Sequence, residues 1–181
     1  MATLVLSVIG DDRAGLVDAL AAPIADHGGN WDRSHMARLA GKFAGIVVVT
    51  VPDERVDALG AALEAVQAQG LLDVRVAIAA ADGAVDDTSL LSLHLIGQDR
   101  PGIVREIAGA LARRNVSIEE LETSTASAPM SAEQHFEATA SIRLPVDVDL
   151  DALRLALEDI ANELMVDLDV SPRTPPSVER G

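Results

Sequence analysis

Two nine-residue segments of the chain each combine a carboxylate, an arginine and two glycines. The first, IGDDRAGLV, begins at Ile9, and the second, IGQDRPGIV, begins at Ile96. Asp12 and Asp99 are placed to accept hydrogen bonds from the first amides of a following helix, as N-cap residues do. Pro101 suits the first helical position, where its missing amide donor costs nothing. The free amides and the partial positive charge of such a helix start favour an anionic group.

Two ligand chemistries fit a glycine-lined helix start of this kind. Phosphate binding is disfavoured, because Asp11, Asp12 and Asp99 would repel a polyanion. A small amino acid fits better: its carboxylate would accept from the helix-start amides, and its ammonium would donate to a carboxylate or carbonyl oxygen. The alternative without a ligand is a well-capped strand-to-helix turn. The residues of one segment alone do not decide between these interpretations.

The other polar residues show no pattern typical of catalysis or metal binding. No histidine pair has the helical i, i+4 spacing with a neighbouring glutamate that a zinc site uses. The histidines are His27, His35, His94 and His135. Asp11 and Asp12 are adjacent carboxylates, which at a solvated turn are usually caps, and there is no nucleophile-elbow sequence. We therefore expect no catalytic residue, no metal site, no cofactor and no enzymatic activity.

Composition narrows the classes of partner. The chain of 181 residues carries a net charge of −15, contains no cysteine and has only three aromatic residues. Phosphate backbones reward lysine and arginine, and RNA-binding sheets stack bases on aromatic side chains, so we expect no direct nucleic-acid binding. The apolar runs are shorter than a membrane helix needs, and the N-terminus lacks a basic leader followed by a long apolar run. We expect a cytoplasmic protein with no membrane contact.

The two segments belong to an internal repeat that covers most of the chain. Each is followed by apolar residues at i, i+1, i+4 and i+8, which is one face of a helix. These residues are Leu16, Val17, Leu20 and Ile24, then Ile103, Val104, Ile107 and Leu111. Phe43 and Pro52 align with Phe136 and Pro145, and a second helical pattern follows in each copy. Both copies therefore read strand, helix, strand, strand, helix, strand.

This order predicts an α+β protein of two ferredoxin-like βαββαβ repeats, each an antiparallel sheet with two helices on one face. The predicted strands are 3–10, 30–39, 43–51, 73–80, 89–97, 116–126, 135–144 and 165–170, and the predicted helices are 14–27, 53–69, 101–114 and 149–163. The predicted domains are 1–80 and 89–171, with a linker at 81–88 and a proline-rich, disordered tail at 172–181.

The third strand differs between the copies. Ala44, Ile46 and Val48 occupy positions that are polar in the second copy, where FEATASIRL alternates apolar and polar residues. The sheet face without helices is therefore predicted to be apolar in the first copy. An exposed apolar sheet face usually marks an interface, so we expect a homo-oligomer or a contact between repeats.

GDDRAGLV and GQDRPGIV, each within a βαββαβ repeat, resemble the ACT domain, a regulatory module that binds amino acids. The resemblance covers residues 2–171. Two such repeats with no catalytic or DNA-binding domain are similar to the family of glycine cleavage system transcriptional repressors. That resemblance implies a non-enzymatic sensor of a small amino acid, glycine or serine, that acts on a partner protein such as a transcription factor. The alternative is an ACT-type dimerisation or scaffold module without ligand binding.

The resemblance also implies which residues would bind the ligand, beside the strand-to-helix segment and at the start of the second strand. The matching positions are Asp12, Arg13, Gly15 and Asn30 in the first copy and Asp99, Arg100, Gly102 and Ser117 in the second. Ala14 replaces the Pro101 of the second copy, and Ser117 replaces the Asn30 of the first. Either difference could leave only one repeat able to bind.

Overall fold

The computed structural model describes residues 1–79, 89–127 and 134–173. The chain divides into two compact units, Met1–Gly83 and Ala84–Gly181. The predicted linker at 81–88 lies outside the described residues, as do residues 174–181 of the predicted tail.

The first unit is a four-stranded antiparallel sheet in the order β2-β3-β1-β4. Its strands are β1 (Ala2–Asp11), β2 (Asn30–Leu39), β3 (Lys42–Val51) and β4 (Asp73–Ile78), and its helices are α1 (Leu16–Asp26) and α2 (Val56–Ala68). A short 3-10 turn over Asp53–Arg55 precedes α2. The element order is the predicted βαββαβ.

The second unit repeats this arrangement in a sheet of order β6-β7-β5-β8. Its strands are β5 (Ser89–Gln98), β6 (Ser117–Ser127), β7 (Gln134–Leu144) and β8 (Val166–Pro172), and its helices are α3 (Ile103–Ala112) and α4 (Leu150–Leu164). The predicted fold class is confirmed in both units. Among the helices in the described ranges, none is long and apolar enough to cross a membrane.

Each unit buries its own apolar core between one sheet face and the two helices. The strand residues that enter the core alternate along β1 and β5, because successive side chains of a strand point to opposite faces. The core of the first unit includes Leu4, Leu6, Val8, Leu20, Ile24, Val47, Val49, Leu59 and Leu63. The core of the second includes Leu91, Leu93, Leu95, Ile107, Leu111, Ala140, Ile142, Leu153 and Leu157.

The prediction that β3 presents apolar residues on the helix-free face of the sheet is confirmed. Val47 and Val49 face the core and are buried, whereas Ile46 lies on the opposite, helix-free face and is 54% exposed. Ala44 and Val48 lie on the same face as Ile46 and are half-buried. The interface function of this face stays a prediction.

Two predicted helix starts are wrong by two residues. The helices begin at Leu16 and Ile103 rather than at 14 and 101. The residue before each, Gly15 or Gly102, has a left-handed backbone with φ of 91° or 102°, which a right-handed helix cannot contain. Pro101 therefore lies before the N-cap and not at the first helical position.

Candidate functional site

The repeated segments form one corner in each unit, where the first strand ends and the first helix begins. Gly10 and Gly97 are the penultimate residues of β1 and β5. A Cβ atom on Gly10 would lie 2.6 Å from the carbonyl oxygen of Leu71, and one on Gly97 would lie 2.4 Å from Cγ1 of Val166. Glycine is needed there because the neighbouring chain approaches closely.

The helix starts carry no side-chain cap. Within the described residues, the first amides of α1 and α3 donate no hydrogen bond to a capping side chain. The prediction that Asp12 and Asp99 act as N-caps is wrong, because the N-cap positions are Gly15 and Gly102, three residues later. The first-turn amides are therefore not used by these carboxylates, and a polar group of a ligand could accept from them.

Asp12 and Asp99 are instead held by their backbones. The amide of Asp12 donates to the Gly41 carbonyl at 2.9 Å, and the amide of Asp99 donates to the Gln134 carbonyl at 2.8 Å. The Asp12 carboxylate forms an ion pair with Nε of Arg38 at 2.5 Å. Within residues 1–79, 89–127 and 134–173, the carboxylate of Asp99 has no hydrogen-bond or ion-pair partner.

Arg13 and Arg100 fasten each corner to the second helix of its unit. The guanidinium of Arg13 donates to the carbonyl of Gly70, just after α2, at 2.9 Å. The guanidinium of Arg100 donates to the carbonyl of Glu163, near the end of α4, at 3.2 Å. Cations are favoured at helix C-termini, where carbonyl groups lack partners. The predicted ligand-binding arginines thus have a bracing contact that is the same in both units.

A solvent-open groove, which we call the corner groove, lies beside the same residues in each unit. In the first unit it is lined by Asp12, Arg13, Gly15, Leu16, Val17, Asp18, Ala21 and Phe43. In the second unit it is lined by Asp99, Arg100, Gly102, Ile103, Val104, Arg105, Ala108 and Phe136. The structure therefore brings together six of the eight predicted site residues, three in each unit, on an apolar floor with a polar rim.

The charges of the two corner grooves differ. Asp18 in the first unit is replaced by Arg105 in the second. Arg38, which neutralises Asp12, lies opposite Phe43 on β2, and the residue in that place on β6 is Thr125. Counting only the residues that the structure describes, the second groove therefore offers a carboxylate without an ion-pair partner and an additional guanidinium, which complement a zwitterion.

Asn30 and Ser117 lie outside the corner grooves. Asn30 is opposite Thr50 in the sheet, seven residues along β3 from Phe43, which corresponds to roughly 23 Å of extended strand. Its side-chain amide donates to Oδ1 of Asp32 at 2.5 Å. Ser117 is opposite Arg143, at the equivalent end of β7. The structure does not bring these two predicted residues to the corner of their own unit.

The neighbouring carboxylate Asp11 makes a separate ion pair on the surface. Nζ of Lys42 donates to its Oδ1. This hydrogen bond and the positive charge of Lys42 lower the pKa of Asp11 below its ordinary value. Asp11 and Asp12 are thus held by different cations, an arrangement that does not resemble an acid and base pair sharing a proton.

Among the described residues no histidine lines a corner groove, although His135 is paired with Gln98, next to Asp99. Nε2 of His94 is 2.9 Å from Oε1 of Glu137, across β5 and β7. His27 is hydrogen-bonded to the carbonyl of Pro23. No group of three or more potential metal ligands occurs among the residues that the structure describes.

Three residues that lie at the corners are not predicted as site residues from the sequence. Phe43 and Phe136 form part of the groove walls, and Arg38 neutralises one carboxylate. The signal for the phenylalanines was present, since the repeat aligns Phe43 with Phe136. The antiparallel pairing of Gly10 with Phe43 and of Gly97 with Phe136 carries both rings to the corner.

Comparison with known proteins identifies the fold family of both repeats. The chain matches the ACT domain over residues 2–77 and again over residues 92–160. It has no significant match among curated proteins.

Two solved structures match nearly the whole chain. A protein of unknown function from Galdieria sulphuraria shares 28% identity and has a TM-score of 0.85, covering 96% of this chain and 99% of its own. A candidate glycine cleavage system transcriptional repressor shares 16% identity and has a TM-score of 0.71, covering 96% of this chain and 98% of its own. With both repeats matched and the βαββαβ order present in each, the chain belongs to the ACT domain family as a tandem pair of ACT domains.

Proposed function

We propose that this tandem ACT protein is a non-enzymatic sensor of a small amino acid and that it acts on a partner protein. The observation that carries the proposal is the corner groove of the second unit. It combines Asp99, whose carboxylate has no hydrogen-bond or ion-pair partner among the described residues, with uncapped helix-start amides and the nearby Arg105. The ammonium group of a zwitterion would bind Asp99, and its carboxylate would bind the helix-start amides and Arg105.

The second unit is the better candidate for the binding site. A free ammonium group could donate a charge-assisted hydrogen bond to the carboxylate of Asp99, whereas in the first unit the carboxylate of Asp12 is already paired with Arg38. An ammonium ligand in the first unit would have to displace that guanidinium. Both units have uncapped helix-start amides, at α1 and α3. The expected difference in ligand affinity between the units therefore comes from the carboxylates Asp12 and Asp99.

The ligand class and the partner are argued from similarity. ACT domains generally bind small amino acids, and one structure that matches this chain along its length is a candidate repressor of the glycine cleavage system. We propose glycine or serine as the ligand and a transcription regulator as the partner. For the protein to act as a switch, the ligand must bind one conformation more tightly than another.

Calorimetric titration and thermal-shift measurements with each of the twenty amino acids test this function. We expect binding by glycine, serine or both. Absence of heat and of a thermal shift for all twenty would reject the sensor and favour the scaffold alternative, an ACT module that only dimerises.

A pair of matched variants tests the assignment to the second unit. Asp99→Asn should weaken binding about tenfold or more, because it removes a charged hydrogen-bond acceptor. Asp12→Asn makes the same chemical change at the equivalent position and should leave the affinity nearly unchanged. The reverse result would assign the site to the first unit.

A further inference from the structure

The last helix of the second unit joins its last strand through a single residue. α4 ends at Leu164 and β8 begins at Val166, so Met165 alone connects them. The backbone of Met165 is left-handed, with φ of 53°, which is unfavourable for a residue with a side chain of this size. Between α2 and β4 of the first unit, the left-handed residue is Gly70, with φ of 68°. The second unit therefore has a strained junction where the first unit has a relaxed one.

Two contacts hold this junction against the second corner. The guanidinium of Arg100 donates to the carbonyl of Glu163 at 3.2 Å, in the last turn of α4, where helix carbonyls lack amide partners. Val166 packs so closely on Gly97 that an added Cβ atom would lie 2.4 Å from its Cγ1. Arg100 also lines the corner groove. One side chain therefore belongs both to the candidate ligand site and to the end of α4.

We infer that the contact between Arg100 and Glu163 is a latch, through which a ligand in the second corner groove controls the last turn of α4. This inference rests on the proposed function, because the ligand is the zwitterion that the groove would bind. A carboxylate in the groove competes with the Glu163 carbonyl for the guanidinium, and it is the stronger acceptor because it is charged. When the guanidinium moves to the ligand, the last turn of α4 and Met165 lose their contact with the corner.

The latch supplies the two conformations that a switch requires. With Arg100 on Glu163, the groove offers a ligand carboxylate the guanidinium of Arg105, and with Arg100 released it offers two guanidinium groups. The ligand therefore binds the released conformation more tightly and shifts the population toward it. The strain at Met165 favours the same direction, because a frayed turn relieves it.

The first unit contains the same arginine contact without the same consequence. Arg13 donates to the carbonyl of Gly70 at 2.9 Å, but Gly70 adopts its left-handed backbone without strain. In that groove Arg38 already neutralises Asp12. We therefore expect a ligand to loosen the end of α4 and to leave the end of α2 unchanged.

Hydrogen exchange measured by mass spectrometry tests the latch on the full chain, with glycine and serine as the probes. Saturating ligand should speed amide exchange about threefold or more in peptides that cover residues 159–167, and should leave peptides that cover 64–71 unchanged. Arg100→Gln should give the faster exchange at 159–167 without ligand, and added ligand should change it no further. The matched control, Arg13→Gln, removes the equivalent contact and should affect only 64–71.

Met165→Gly changes the junction without touching the groove. Met165 is 74% exposed, so the fold tolerates its replacement. Glycine populates the left-handed region readily, so exchange at 159–167 should be slower than in the wild type, and the increase caused by the ligand should be smaller. Wild-type exchange at 159–167 in both Met165→Gly and Arg100→Gln would overturn the inference.

Calorimetric titration of the same samples separates this inference from the proposed function. Binding of glycine or serine with unchanged or slower exchange at 159–167 would overturn the latch and leave the sensor function standing. If neither amino acid binds, the proposed ligand and the latch that it would release are both overturned. Binding together with faster exchange at 159–167, in the wild type and not in Arg100→Gln, is the result that we expect.

Discussion

At the scale of single residues, identical residues at equivalent positions of the two repeats make different contacts. Asp12 and Asp99 occupy the same place in the same motif, but within the described ranges Asp12 forms an ion pair, with Arg38, and Asp99 forms none. The bracing arginines, in contrast, make the same contact in both units. Both copies of the motif therefore make the same arginine contact, whereas the charge of the first corner also depends on Arg38, from β2.

The Asp11–Lys42 pair gives a prediction at this scale. Lys42→Gln should raise the pKa of Asp11 toward its ordinary value, since the hydrogen bond and the positive charge that lower it are lost. Because the folded-state pKa is depressed, the contribution of the pair to stability is present above the unfolded pKa. It is lost as the pH falls through the folded pKa.

Carboxyl-carbon NMR titration measures this change. Glu119 is the internal control, because its pKa is lowered by a hydrogen bond from Arg143 in the other unit and should not move. An unchanged Asp11 titration in Lys42→Gln would contradict the assignment.

At the scale of elements, each corner depends on one left-handed glycine before its helix. Gly15 and Gly102 end the loop, begin the helix and leave the first amides uncapped. Had a capping side chain stood there, it would have occupied the amides that the proposed ligand needs. Because glycine has no side chain, the N-cap position leaves the helix-start amides available to a ligand in the corner groove.

Substitution of two glycines in the same segment separates backbone strain from helix propensity. Gly102→Ala should destabilise the second unit by about 1–2 kcal/mol, because alanine is disfavoured in the left-handed region. Gly109→Ala, inside α3, should stabilise it by about 0.5–1 kcal/mol. Urea denaturation followed by circular dichroism measures both, and equal effects of the same sign would contradict the argument.

At the scale of the whole molecule, the chain contains two cores that share no residue. Leu59 and Leu153 are equivalent positions in the second helix of each repeat, and both are fully buried. Trp31, the only tryptophan, packs against the first core. The chain therefore carries a natural optical probe of one unit.

Truncation of the two leucines tests whether the cores unfold separately. Leu59→Ala and Leu153→Ala should each destabilise their own unit by about 2–5 kcal/mol, through lost burial and the cavity left behind. Leu59→Ala should shift the unfolding transition seen by Trp31 fluorescence, whereas Leu153→Ala should shift only the remaining transition seen by circular dichroism. Equal shifts of the Trp31 signal in both variants would show that the two units unfold as one.

The sequence by itself determined the repeat, the element order and most of the apolar helix residues of the two cores. These follow from local rules: apolar spacing of 3.6 residues marks helix faces, and alternation marks half-buried strands. Val17 and Val104, predicted on the same helix faces, are 48% and 43% exposed and line the corner grooves instead. The sequence also located the two corners, because glycine and carboxylate positions recur at a constant offset in GDDRAGLV and GQDRPGIV.

Only the tertiary structure decided what each corner residue does. Arg13 reaches Gly70, and Arg38 reaches Asp12, across loops and strands that no local pattern connects. The family resemblance implies that Asn30 binds the ligand at the corner, but Asn30 begins β2 and lies opposite Thr50, at the end of β3 away from Phe43. Contacts between distant segments depend on register and helix placement, which are set by the packing of the whole unit.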